Sequence, residues 1–238
     1  KKVKKRICEQ VYQAFGGNLY EVIIGGAALN QEIESFLKDI DFPFTVGYGA
    51  TECAPIITYS DWHDFVPMSC GREVVHMEVK IDSENPETVP GEILARGLNV
   101  MLGYYKNDEA TAQTIDKDGW YHTGDLGLMD KGGNVFIKGR SKNMLLGPNG
   151  QNIYPEEIED KLNSMTFAME SVVVQRDGKL VGLVHPDFDE VQAMGLSRDD
   201  LQSLMEENRV QVNANLPVYC KIAAIEIHDE EFEKTPKK

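Results

Sequence analysis

The chain has 238 residues, 42% hydrophobic and 26% charged, the make-up of a globular protein long enough for one large domain or two ordinary ones. A net charge of −15 excludes a general nucleic-acid binder, which needs a basic face against phosphates. No run of about 18 apolar residues is present to span a membrane, and four scattered cysteines without a CxxC fit a reducing cytoplasm better than disulfides or zinc.

The basic run KKVKKR reads as the solvated start of a helix continuing through ICEQVYQAF. LYEVIIGGAAL then predicts a buried strand, a turn at Gly25 and Gly26, and a helix capped by Asn30 with Ile33, Phe36, Leu37 and Ile40 on its apolar face. FPFTVGYGATE repeats strand and glycine turn, so the two units predict an α/β layer with a site at its edge.

From residue 73 the texture changes. VVHMEVKI, GEILARG, DLGLMD and NVFIKG are short strand candidates separated by turn-rich stretches, which predicts a twisted antiparallel region or small barrel, with a short helix over residues 107 to 114. After Arg140, YPEEIEDKLNSM predicts a helix with Pro155 in its first turn. ESVVVQRDGKLVGLVHP predicts a hairpin on an Asp-Gly turn, Ser197 and Asp200 a capped helix, and KIAAIEIHD a last strand. The fold class expected is α/β followed by α+β, with residues 1–140 in a larger unit and 141–238 in a small one.

Three stretches carry chemistry. GYGATE follows an apolar strand as a dinucleotide fingerprint would, but Glu52 replaces the third glycine and would face a pyrophosphate, so an NAD site is disfavoured. Thr51 instead offers a hydroxyl to a phosphate oxygen, and Glu52 a hard oxygen for magnesium; a plain structural turn competes with this reading. In GWYHTGDLG the glycines let backbone approach a sugar closely, and Asp125 is able to accept both hydroxyls of a ribose; a turn aspartate is the competing reading. Arg140 in KGRSK is a forked cation suited to hydroxyl or phosphate oxygens, though alone it would pass for a surface residue.

GGAAL, GYGATE, GEILARGLNVMLGYY, DGWYHTGDLG and KGRSKNMLLGPNGQNIYPEEIE, in that order, resemble the signature segments of the AMP-forming adenylating enzymes. That superfamily contains acyl-CoA synthetases, peptide-synthetase adenylation domains and beetle luciferases. The resemblance runs through nearly the whole chain, and GYGATECAPIIT and the spacing from Arg140 to Gly150 look most like bacterial long-chain fatty acid–CoA ligases. It implies the C-terminal part of the large adenylate-forming domain, an α/β layer with a β-barrel-like subdomain, followed by a small mobile lid domain.

The resemblance also implies roles. Gly25, Gly26 and Ala27 would lie against adenine, with Tyr48 stacked over it beside Gly49. Thr51 would touch the α-phosphate, Glu52 would hold Mg2+, and Asp125 and Arg140 would hold the ribose of ATP or AMP. Lys142 stands at the family's hinge, and the loop of Gly150 would line a coenzyme A tunnel. Partners would be a fatty acid, ATP and coenzyme A, with a loose membrane association left open.

The family's phosphate loop and most of its acyl pocket are expected upstream, in a longer polypeptide, since the chain starts without Met and stops on EKTPKK. This stretch alone is therefore expected to be inactive, and its adenylation lysine would fall at Lys237, at Lys238 or beyond. Carrier-protein loading and a non-catalytic AMP-binding module are the alternatives. As a site carboxylate, Asp125 is expected to contribute recognition rather than packing.

Overall fold

The structure, a computed structural model, describes residues 2–233 and divides into two compact units between Ser141 and Lys142. The first opens with α1 (Lys2–Ala14), which turns Ile7, Cys8, Val11 and Tyr12 towards the core. β1 (Val22–Ile24), α2 (Gln31–Asp39) and β2 (Phe44–Val46) form a parallel β-α-β unit, Val22 opposite Phe44. The Asn30 side chain accepts the Glu32 and Ile33 N–H groups, satisfying two donors that a helix start leaves open.

Two details depart from the expected pattern. β1 is only half covered, with Ile23 52% exposed, and the α2 stripe is split. Leu37 and Ile40 pack inward, Ile33 and Phe36 face out, and Glu34 is buried. The Glu34 carboxylate accepts the Met68 N–H at 2.5 Å, and such a partner is what makes burying a charge tolerable.

β3 (Tyr48–Gly49), β4 (Ile56–Tyr59) and β5 (Arg72–Glu73) form a small antiparallel sheet. β6 (Met77–Asp82) and β7 (Gly91–Gly97) lead through α3 (Asp108–Thr114) to β8 (Tyr121–Met129) and β9 (Val135–Arg140). These last four strands make an antiparallel meander in sequence order, open at β6 and β9. It is not a barrel, because four strands are too few to curl back and pair their edges. β6 alternates buried and exposed residues along its length, and Met77, Val79 and Ile81 join Phe44, Val46 and Ile57 in one core.

The second unit begins with the short pair β10 (Leu145–Leu146) and β11 (Asn152–Ile153) and the helix α4 (Pro155–Asn163), which has Pro155 in its first turn. β12 (Ala168–Arg176) and β13 (Lys179–Pro186) form the hairpin, with Asp177 and Gly178 at φ 50° and 73° as a tight two-residue turn requires. After α5 (Phe188–Ala193), α6 (Arg198–Ala214) crosses to β14 (Ile222–Ile227), parallel to β13. Ser197 and Asp200 close a full capping box at the start of α6. Ile158 and Leu162 of α4 and Leu201, Met205 and Val212 of α6 are buried against the sheet. Among the described residues no helix is long and apolar enough to cross a membrane.

Candidate active site

The site is built where β8 breaks its pairing with β7. Glu92 pairs with Leu126 and Leu94 with His122, so two steps on β7 face four on β8, and Thr123, Gly124 and Asp125 bulge out of the ladder. Gly124 takes φ +73°, a left-handed value that favours glycine. Across the bulge Thr123 Oγ donates to the Ile93 carbonyl at 2.8 Å and accepts the Asp125 N–H at 3.0 Å.

Asp125 points to the buried side of the sheet and is 8% exposed. Tyr48 donates its hydroxyl to Asp125 Oδ2 at 2.5 Å, and Arg140, directly opposite on β9, brings Nε to within 2.9 Å of Oδ1. Burial first, then the Asp125 charge, holds the Tyr48 phenol far above its usual range, so it stays a donor. Asp125 is therefore tied into the packing of the interior, against the expectation drawn from sequence that it contributes recognition rather than packing.

Tyr48 itself is 8% exposed, which leaves only a margin of its ring for stacking. At Gly49 a side chain is excluded outright, since a Cβ there would lie 1.9 Å from the Pro55 carbonyl oxygen. The double-glycine turn runs beside this segment: the Gly47 N–H donates to the Ile24 carbonyl at 2.9 Å, and a Cβ on Gly25 would meet the Gly47 oxygen at 3.2 Å. Gly26 takes φ +87°, and Ala27 is exposed beside it.

Thr51 and Glu52 open a single 3-10 turn, with Thr51 exposed and Glu52 half-buried. Tyr104 donates its hydroxyl to Glu52 Oε1 at 2.9 Å, and the Met101 N–H donates to the Glu52 carbonyl at 2.7 Å. The buried Tyr121 has its phenol raised by burial first, then by Glu52 and more weakly by Asp125. Burial first, then Glu52, pushes the neighbouring Cys53 thiol up to about 11, away from the reactive thiolate form.

The first unit thus brings Gly25, Tyr48, Glu52, Asp125 and Arg140 onto adjoining strands and turns. Lys142 and Gly150 belong to the second unit. Lys142 is exposed, and Gly150 sits at φ +80° in the turn from β10 to β11 with nothing within 4 Å of a Cβ. Its glycine is thus explained by backbone conformation. Lys237 and Lys238 lie outside the described residues. Among those described, no cluster of three or more His, Cys, Asp or Glu side chains could enclose a metal. Mg2+ usually takes one or two carboxylates and completes its shell with phosphates and water, so a metal on phosphates needs no such cluster. A carboxylate such as that of Glu52 has the chemistry of a ligand.

Sequence reasoning missed Thr123, Glu92 and Tyr104. The available signals were an acidic residue near the start of an otherwise apolar strand in GEIL, and a threonine two positions before the key aspartate.

Comparison with known proteins agrees with this architecture. Residues 2–105 match the family model described as "AMP-binding enzyme". The chain is 37% identical over 178 residues to a long-chain-fatty-acid–CoA ligase of Escherichia coli O6:H1, covering 72% of this chain and 28% of the relative. It is 38% identical over 177 residues to 4-coumarate–CoA ligase 1 of Glycine max, covering 69% of this chain and 60% of the relative. An ATP-bound RpMatB-BxBclM chimera superposes with a TM-score of 0.76 at 25% identity, over 98% of this chain and 47% of the chimera. The chain thus spans between about a quarter and three fifths of the length of these curated relatives.

Proposed function

Because the chain belongs to the AMP-binding enzyme family, we propose that it carries the nucleotide-recognition half of a ligase that activates a carboxylic acid with ATP and passes it to coenzyme A. The observation that carries this reading is the Tyr48–Asp125–Arg140 cluster at the β8 bulge. A carboxylate accepts several hydrogen bonds, and here Tyr48 contacts Oδ2 and Arg140 contacts Oδ1. These two contacts orient the carboxylate, which would accept the ribose hydroxyls when the nucleotide binds.

Around it, the exposed Thr51 hydroxyl would meet the α-phosphate, and the backbone of Gly25, Gly26 and Ala27 would flank adenine beside the margin of Tyr48. Glu52, steadied by Tyr104, would hold Mg2+, which supplies charge neutralisation on the phosphates. In the first half-reaction the acid's carboxylate attacks the α-phosphorus and pyrophosphate leaves; in the second the coenzyme A thiolate attacks the acyl carbon and AMP leaves. This chain's residues act in the first by positioning and by charge. Lys142 would serve as the pivot between the two, with the Gly150 turn exchanged towards coenzyme A. The small unit, which begins at Lys142 in the structure, would be the part that moves.

The acid we infer is a long-chain fatty acid, on the Arg140 to Gly150 spacing and the likeness to the bacterial ligase; an aryl acid is the competing substrate, given the equal likeness to 4-coumarate–CoA ligase. AMP titrated calorimetrically into the folded chain should bind, and absence of binding would refute the nucleotide site. ATP–pyrophosphate exchange by the polypeptide that includes the upstream phosphate loop, tested from acetate through coumarate to palmitate, then reads the acid. Exchange with coumarate alone would replace the fatty acid.

A further inference from the structure

We propose that Glu92 is a positioning residue for the nucleotide site, holding the bulge that aims Asp125 from the opposite face of the sheet. The proposal rests on the reading of Asp125 as the ribose acceptor. A bulge takes backbone groups out of the strand ladder, and each needs another partner. The Asp125 N–H finds Thr123 Oγ, and the Gly124 carbonyl accepts the Ser141 N–H at 2.9 Å. The Thr123 carbonyl faces Arg140 at 3.4 Å. That leaves the Gly124 N–H, which donates to Glu92 Oε1 at 2.9 Å.

Glu92 is itself held. Its second oxygen lies 2.9 Å from His122 Nδ1, and the other ring nitrogen of His122 lies 3.8 Å from Asp116 Oδ2. Asp116 is fixed in turn by the backbone N–H groups of Asp118 and Trp120. Side chains alternate across β8, so His122 stands on one face while Thr123 and Asp125 turn to the buried one. Glu92 therefore works from behind the site.

The leverage is through the backbone. Gly124 stands in the left-handed region at φ +73°, and an anchored N–H fixes that torsion and with it the direction of the Asp125 Cα–Cβ bond. The same residue's carbonyl holds Ser141, the residue after Arg140. One carboxylate thus fixes both Asp125 and Arg140 while touching neither.

The test uses the 15N-labelled 238-residue chain, following Gly124 amide exchange and AMP affinity together. Glu92→Ala should accelerate Gly124 exchange selectively and weaken AMP by about ten-fold, the worth of a charge-assisted hydrogen bond. Glu92→Gln keeps an acceptor for the N–H and should stay within about three-fold of wild type. In an Asp125→Asn background, Glu92→Ala should add less than about two-fold, since residues acting as one unit are not additive.

Wild-type affinity in Glu92→Ala, equal losses in Glu92→Ala and Glu92→Gln, or losses that multiply with Asp125→Asn would each overturn the proposal. A wild-type chain that fails to bind AMP, while Glu92→Ala still frees the Gly124 amide, would instead sink the site reading, and the nucleotide role of Glu92 with it.

Discussion

Replacing Asp125 separates recognition from packing. Asp125→Ala removes the acceptor of a buried Tyr48 hydroxyl, 2.5 Å away, and the counter-charge of Arg140. A hydrogen bond to a charged group is worth about 1.5–3 kcal/mol, and breaking it strands a buried donor. The Arg140 side chain is 62% exposed, so its ion pair adds at most about 1 kcal/mol. The variant should lose about 2–4 kcal/mol in urea unfolding monitored on the first unit. Asp125→Asn keeps an acceptor for Tyr48 and should lose only about 1 kcal/mol. Two ribose hydrogen bonds to a carboxylate, at about 1.5 kcal/mol each, predict AMP binding about 100-fold weaker in Asp125→Ala. Asp125→Asn should fall in between, because one amide oxygen remains. Calorimetric titration checks both. Asp125→Asn binding AMP as wild type does would refute the ribose role, and Asp125→Ala unfolding as wild type does would refute the packing role.

Gly49→Ala places a Cβ against backbone at Pro55, so the chain should lose several kcal/mol or fail to fold, seen as loss of the cooperative urea transition. Tyr104→Phe strips the donor from Glu52 Oε1 and should weaken Mg2+-dependent ATP binding by about three- to ten-fold while leaving AMP binding without metal unchanged; equal effects on both would remove Glu52 from the metal. In the second unit, burial pushes the Glu159 carboxyl up to about 7, despite the Val173 N–H that it accepts. A raised carboxyl binds more protons folded than unfolded between its ordinary value near 4.5 and about 7. Stability should therefore fall as pH rises through that window, by roughly 1–3 kcal/mol for this group. Glu159→Gln should flatten the slope in urea titrations at pH 5 and pH 8, and an unchanged slope would assign it elsewhere.

Much of the local structure was legible because it is set within a few residues. Asn30 and Ser197 cap helices through their own side chains, and Asp177–Gly178 turns a hairpin because glycine and aspartate tolerate positive φ. GYGATE, YHTGD and KGR pointed to Tyr48, Glu52, Asp125 and Arg140 by residue type and order. The order of motifs also carried the family.

What the sequence could not specify was pairing across distance. Tyr48 and Asp125 are 77 positions apart, and only the stacking of two sheets through one core made the phenol a donor to the carboxylate instead of an open stacking face. α2 reads as one apolar stripe, yet Glu34 goes in and Phe36 stays out, because a backbone N–H from a loop 34 residues away satisfies the carboxylate. Glu92 shows no function in GEIL until a bulge on the neighbouring strand leaves the Gly124 N–H without a ladder partner. The sequence determined the elements and the chemistry available at each position. Tertiary structure decided which buried donors and acceptors had to be satisfied, since that depends on which groups folding removes from water together.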